Sequence, residues 1–478
     1  MRLLYATIWI VAFLSGCAST GEWSSDTPTK ANPKSSKAAR VNLRNQSVSK
    51  LYAPSDNLWI RIRDGFQMEP MNTPLEIEQV RWLSARPDYV HRSMARSSRY
   101  LFYIVQEVNA RNMPTEIALL PFVESAFVTN AKSSAKAVGL WQFMPATGKD
   151  FRLTQNVFRD ERRDVVQSTD AALDYLQRLH NQFGSWELAL AAYNWGAGNI
   201  TKAQKRNLAA GLPIDYESLT LPNETRNYVP KLMAYRQIVL DPQAYGIVLP
   251  ELENHPYFVA LDVGNDIDVA LVIKLAEIPD DEFYSLNPSF NKPVILSNAN
   301  QQILLPYAHA EIFQENLKKY TKPLSSWTAV QITKTESLDQ AAKTLGVDVD
   351  TLREVNGIPK GMRIKAGSTV LIPKTSRRPG DVSMAMAENA SLSLEKPAPP
   401  AAKCPPQPKG AKGAKAVKCT PQKTGGNAGK TTTKGNSSPK NAASQHKSAS
   451  TGLAKSAKNG SSASTSGSSA NKGASKNP

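Results

Sequence analysis

From Ser376 to Pro478 the chain contains no Phe, Trp or Tyr, and this break in composition limits what can fold. The stretch is built of Ala, Ser, Gly, Pro and isolated Lys. It cannot bury enough apolar surface to offset the entropy of ordering its backbone, so a disordered tail is expected over 375–478. The same stretch carries 15 Lys and 2 Arg against 3 acidic residues, +14 of the chain's net charge of +17. The first 375 residues are therefore nearly neutral. Charge alone gives them no nucleic-acid surface, and the tail lacks the aromatic rings on which bases stack, so no nucleic-acid partner is expected. Five His and three scattered Cys exclude a Cys-rich metal site or a disulfide-built scaffold. Cys404 and Cys419 both fall in the tail, where a disulfide would close a loop that stabilises nothing folded.

The amino end reads as an export signal. Met1-Arg2 is followed by an apolar run from Leu3 to Leu14 and then Leu14-Ser15-Gly16-Cys17. A charged start, a short apolar run and small residues before a break define a secretory signal, here 1–16. The run is short of the ~20 residues a spanning helix needs. Residues 17–55 are rich in Ser, Thr, Lys and Pro, the composition of a tether.

Between these ends, helical periodicity dominates from Leu58 to about Leu240. Ala172, Leu176, Leu179 and Phe183 fall on one helical stripe. Ser168-Thr169-Asp170 is expected to cap that helix and Gly184 to stop it. Trp186 to Tyr193 predicts a second, short helix that leads into Asn194-Trp195-Gly196-Ala197-Gly198. Two later segments resemble each other: KLAEIPDDEFYSLN from Lys274 to Asn287 and KTLGVDVDTLREVN from Lys343 to Asn356, 69 residues apart. Each follows a β-branched stretch (Tyr257 to Val263; Thr328 to Thr333) and closes with an apolar run ending in Pro306 or Pro373. Each therefore predicts a small βααβ unit.

Residues able to carry chemistry are densest between Pro121 and Gly148. Ile117, Leu120 and Glu124 share one helical face, provided Pro121 permits a helix there. A carboxyl on an apolar face is desolvated, which favours the protonated form that a general acid needs. Spacing alone leaves open a Glu paired with a core Arg. The segment Gly139-Leu140-Trp141-Gln142-Phe143-Met144 sets one amide between aromatic rings, which suits a sugar or, equally, a core segment with one satisfied Gln. Phosphate loops, zinc-type His pairs and Ser-His-Asp signatures are absent, so neither cofactor nor metal is expected.

Glu124-Ser125, Gly139-Leu140-Trp141-Gln142, Ala192-Tyr193-Asn194 with Gly196 and Gly198, and Glu224-Thr225 with Tyr228-Val229-Pro230 stand in the order and spacing of a known family. Together they resemble the soluble-lytic-transglycosylase domain, a goose-lysozyme-like helical fold, over roughly 57–310. The resemblance implies a mainly α chain. It would comprise a lysozyme-like all-α catalytic domain at 56–245, a degenerate LysM-like βααβ module at 255–310, a LysM module at 327–374 and the disordered tail. It implies that Glu124 is the sole acid/base, with Ser133, Gln142, Met144, Tyr193, Asn194 and Tyr228 as the substrate-binding set. Glu224 matches as structural, and Asp160, Asp164 and Asp170 fall in a structural segment. In the second module Leu338, Leu345-Gly346-Val347, Asn356-Gly357 and Ile372-Pro373 fit the LysM pattern, while Thr335-Glu336-Ser337-Leu338 departs from it beside the sugar groove.

By resemblance to a bacterial lipobox, Cys17 would be lipidated, and Ala18 after it favours the outer membrane. The implied protein is a monomeric, lipid-anchored enzyme at the periplasmic face of that membrane. It would cleave peptidoglycan glycan strands between N-acetylmuramic acid and N-acetylglucosamine, leaving 1,6-anhydro ends. Alternatives are a hydrolysing muramidase on the same fold and a non-catalytic wall-binding protein. Several acyl chains on one Cys hold a protein firmly to a bilayer, so Cys17→Ser should move the protein from the membrane to the soluble fraction. Unchanged fractionation would count against lipidation.

Overall fold

A computed structural model describes residues 57–299 and 301–397. Cys17, the tether, Cys404 and Cys419 lie outside them. No helix among the described residues is long and apolar enough to cross a membrane.

The first part is helical: α1 (Leu58–Asp64), α2 (Pro74–Ser84), α3 (Pro87–Ser97), α4 (Leu101–Ala110), α5 (Leu120–Glu124), α6 (Pro145–Asp150), α7 (Val165–Phe183), α8 (Trp186–Trp195), α9 (Ala197–Ala209), α10 (Asn223–Arg226) and α11 (Tyr228–Leu240). Local chemistry sets their ends. Ser185 caps α8 by accepting from Leu188 N–H, and Thr73 caps α2 ahead of Pro74. Asp164 caps α7, its carboxylate accepting from Val166 and Gln167 N–H. The expected cap at Ser168-Thr169-Asp170 is therefore one turn too late. Ser168 and Thr169 lie inside the helix and bond back to the carbonyls of Asp164 and Val165. Gly184 does end α7, in the left-handed region at φ 76°. Pro121 does not break the helix at Glu124. A 3₁₀ turn (Thr115–Leu119) runs into α5, and Pro121 sits in the first turn of α5, where no donor is needed.

Each of the two repeats forms a βααβ unit. In the first, β1 (Phe258–Asp262), β2 (Ile267–Asp268), α12 (Val269–Ala276), α13 (Asp280–Leu286), β3 (Val294–Ile295) and β4 (Gln302–Pro306) precede an added helix, α14 (Tyr307–Lys319). The second has β5 (Trp327–Gln331), β6 (Glu336–Ser337), α15 (Leu338–Leu345), α16 (Val349–Asn356), β7 (Arg363–Ile364) and β8 (Thr369–Pro373). Outer strands pair antiparallel, β1 with β4 and β5 with β8. The shared Asn explains the repeat. Asn287 donates to Leu304 O and accepts from Leu304 N–H, at 2.8 Å each. Asn356 does the same for Leu371, at 2.9 and 2.8 Å. Both amides are buried, and each completes the backbone bonding of its closing strand.

The first module is docked on the helical part. Arg99 forms a bidentate pair with Glu282 (3.0 and 2.7 Å), and Tyr100 donates to Ser285 O. Ser289 carries Asp160 and Asp164 together: its carbonyl accepts from Asp160 N–H, and its hydroxyl donates to the Asp164 carboxylate.

Order continues past the expected start of the tail. Residues 376–397 include α17 (Met384–Asn389) and β9 (Leu394–Glu395), which pairs with β7. The apolar side chains of Val382, Ala387 and Ala390 pack with Phe158 of the helical part and with Val294 and Leu371 of the two modules. Asn156 donates to Ala387 O, and Val157 N–H to Ala390 O. Lack of aromatic residues hid this strap, because small residues suffice where aromatic partners come from elsewhere. Ending the chain after Pro397 should leave the melting temperature unchanged. Ending it after Thr375 uncovers Phe158 and its neighbours, a loss of roughly 2–5 kcal/mol by analogy with large-to-small core changes. Calorimetry of the two truncations should differ by several degrees, and equal melting would show that the strap contributes nothing.

Candidate functional site

Glu124 is the last residue of α5, with Leu120, Pro121 and Phe122 buried before it. The two residues shortly after it hold unusual backbone: Ala126 and Phe127 have φ of 48° and 59°. Non-glycine residues reach this region only when their surroundings impose it. Arg96 of α3 donates to Ala126 O at 2.8 Å, and Phe127 is buried with its ring 4.5 Å from Phe122. The turn is thus fixed from two sides, and it sets the carboxyl of Glu124 at the surface of the core.

A circuit of hydrogen bonds links the segment of Glu124 to three others. Ser125 donates to Leu140 O at 2.9 Å, and Tyr193 donates to Trp141 O at 2.8 Å. The neighbour of Tyr193, Asn194, accepts from the Thr225 hydroxyl at 2.7 Å. Three residues further, Tyr228 at the start of α11 donates to Glu124 Oε1. Four sequence segments are closed into one circuit in this way. Burial pushes the Glu124 pKa up to about 7; the Tyr228 hydroxyl pulls it down, nearby Glu224 pushes it up, and Lys231 pulls it down. The phenols of Tyr193 and Tyr228 are raised well above their ordinary value by burial first and by Glu124 second, so both stay protonated as donors.

The other expected site residues are placed less directly. Gln142 adopts φ 48° and donates to Gly139 O at 2.8 Å. Its aromatic neighbours do not offer faces to a sugar: Trp141 and Phe143 are buried, at 0% and 2% exposure, and Trp141 donates to Thr169. They anchor the loop to the core, which is the other option the sequence left open. Met144 is 42% exposed at the loop's outer side. Ser133 Oγ accepts from Ala137 N–H, closing a turn. Ser133 and Met144 make no hydrogen bond to Glu124. Tyr228, expected in the substrate-binding set, is buried and donates to the Glu124 carboxyl.

Arg162, in a segment the resemblance marked as structural, and Arg96, which sequence reasoning missed, both have supporting parts. The buried Arg162 pairs with Asp160 at 2.8 Å and donates to Lys136 O and Phe143 O, spanning the base of the loop. Gly139, at φ 85°, lies so close to Arg162 O that a Cβ would sit 2.2 Å from it. Arg162 lies in the Asp160-Glu161-Arg162-Arg163-Asp164 segment that the resemblance marked as structural, while Arg96 lies in no local pattern that would have marked it.

A helical domain with a desolvated acid facing a glycine-bounded loop defines the class, and comparison with known proteins agrees. Residues 103–211 match the Transglycosylase SLT domain, and residues 257–322 match the family described as Lytic transglycosylase MltD, LysM-like domain. The chain is a peptidoglycan lytic transglycosylase. It is 32% identical over 386 residues to membrane-bound lytic murein transglycosylase D of Escherichia coli (strain K12), covering 77% of this chain and 84% of that relative, and it belongs to that family. It is also 41% identical over 128 residues to a putative tributyltin chloride resistance protein of Alteromonas sp. (strain M-1), covering 27% of this chain and 58% of that one. A solved structure of an inactive variant of the lytic transglycosylase Slt from Pseudomonas aeruginosa is 27% identical, with a TM-score of 0.25, over 34% of this chain and 26% of that chain.

The Tyr228 hydrogen bond favours the ionised carboxylate. Tyr228→Phe keeps the ring but removes that donor, so the pKa of Glu124 should rise further. The alkaline limb of the kcat/KM profile should move to higher pH. A shift to lower pH would show that the phenol is not the donor.

Proposed function

We propose that Glu124 is the single acid/base of a non-hydrolytic cleavage of the bond from N-acetylmuramic acid to N-acetylglucosamine. The observation that carries this reading is a carboxyl near pKa 7 and set in a strained, braced turn. Such a group is protonated in about half of the molecules at neutral pH, so it can give a proton and afterwards take one.

In the first step Glu124 protonates the leaving glycosidic oxygen and the C1–O bond breaks. The 2-acetamido oxygen of the muramic acid stabilises the positive charge developing at C1. The 6-hydroxyl of the same ring then attacks C1, and its proton passes to the Glu124 carboxylate. The acid is restored, no water is consumed, and the product ends in a 1,6-anhydro ring. The hydroxyl outcompetes solvent through its high effective molarity. A conventional glycosidase needs a second carboxylate. Asp160 is committed to Arg162, Asp164 caps α7, and Asp170 faces Arg111. Ser133 and Gln142 would contact the N-acetylmuramic acid near the cleavage point, Met144 would line the groove, and Tyr193 and Asn194 would form the floor of the cleft. Glu224 is exposed and is assigned no part beyond its field on Glu124.

Membrane association through acylated Cys17, with the enzyme acting as a monomer from the outer membrane on the wall, completes the reading. The family's membrane-bound relative supports attachment. The two βααβ modules would extend contact with the glycan strand.

Glu124→Gln keeps the Tyr228 contact and removes the acid, so turnover should fall by at least ~10²–10⁴-fold, since one residue serves both steps. Fragments released by the wild type should be one water lighter than hydrolysed ends by mass analysis; reducing ends would mean hydrolysis. The raised pKa also makes folding favour the protonated acid. The contribution of Glu124 to stability is then fully present below pH 4.5 and is lost as pH rises toward about 7. At pH 8 the variant should melt above the wild type, and an equal melting temperature would argue against a desolvated acid.

A further inference from the structure

Beside the muramic acid contacts proposed above lies a pocket of about 350 Å³ that the mechanism does not use. Its lining includes Asn130, Lys132, Lys136, Asp160, Arg162 and Arg163. Asp160 is the single acid of that lining, and it is bound by Arg162 on both oxygens, at 3.0 and 2.8 Å. Among the described residues, neither Lys132, Lys136 nor Arg163 has a carboxylate within ion-pair distance. The side chains of both lysines are exposed. Arg163 donates to Asn291 of the first module through Nη2, while its buried Nε has no partner. A buried donor without a partner and two unpaired ammonium groups lining one pocket suit an anionic ligand.

The position of the pocket says which anion. Lys132 immediately precedes Ser133, and Pro145, which also lines the pocket, immediately follows Met144. A turn closed by the Lys136 N–H to Ser133 O bond sets both lysines at this edge, and Arg162 fixes it from below through Lys136 O. Muramic acid differs from its neighbour sugar in carrying a lactyl ether, to which a peptide with free carboxylates is joined. If Ser133 and Met144 face that sugar, the substituent projects from the same edge.

We propose that Lys132, Lys136 and Arg163 hold a carboxylate of the peptide attached to muramic acid, so that the enzyme selects peptide-bearing strands over bare ones. This rests on the cleavage reading above and adds the substrate class that the site prefers. Exposed ion pairs are individually weak, and two of them acting together are worth about tenfold at low salt. The contact is screened as salt rises.

The test uses the full chain and three substrates: glycan strands with their peptides, the same strands stripped by an amidase with the lactyl carboxylate this exposes then converted to an amide, and peptide-bearing strands whose carboxylates have been converted to amides. The quantity read is the ratio of kcat/KM between substrates. The wild type should prefer free-carboxylate strands, chiefly through KM, and treat amidated strands like stripped ones. Lys132→Gln combined with Lys136→Gln should lower that preference about tenfold, and charge reversal to Glu should invert it. An unchanged preference in the variants overturns the proposal, as does equal loss on all three substrates. A wild type that still prefers amidated strands overturns it too, because the contact would then be to peptide rather than to carboxylate. A wild type inactive on every strand would overturn the cleavage reading and this one with it.

Discussion

The structure depends on holding one carboxyl out of bulk water without letting the core close over it. Burial alone would leave Glu124 permanently protonated, and full exposure would leave it ionised. The Tyr228 phenol offsets part of the burial, and the resulting balance falls near neutrality. Everything around the site serves that balance. The strained turn at Ala126 and Phe127 aims the carboxyl, and Arg96 and the Phe122–Phe127 ring contact keep the turn from relaxing.

A second layer of constraint fixes the loop that faces the acid. Arg162 is buried among carbonyls from both ends of that loop and is neutralised by Asp160. An unpaired guanidinium at this depth would be costly, so the pair has to form together. Asp160 is in turn bonded through its backbone to Ser289 of the first module. The module is therefore mechanically continuous with the proposed cleft. The strap at 376–397 extends this continuity, since Phe158 packs at once against that strap and both modules.

The two modules show how one repeated residue can serve the same backbone purpose twice. Asn287 and Asn356 each pair with both backbone groups of one residue in the closing strand. Either amide replaced by an apolar group would leave a buried N–H and C=O unsatisfied. The repeat is visible in sequence because this requirement falls on a single position.

Periodicity, glycine placement and turn chemistry are local, so the sequence by itself determined the helical part, both βααβ units, the Gly184 stop and the apolar surroundings of Glu124. The family resemblance carried by four segments also implied which residues would gather around that acid. It misplaced the cap of α7, because Asp164 and Ser168 are both competent caps and only packing selects between them. It left the helix at Pro121 conditional, since a proline's effect depends on which turn it occupies. It assigned 376–397 to the tail, because their apolar partners come from both modules and from Phe158 of the helical part, more than 200 residues away. Tertiary structure alone decided that Trp141 and Phe143 face inward, that Tyr228 grips the carboxyl, and that Arg96 and Arg162 brace the site. Those are contacts between distant segments, whose energies depend on burial and distance, and no local pattern encodes either.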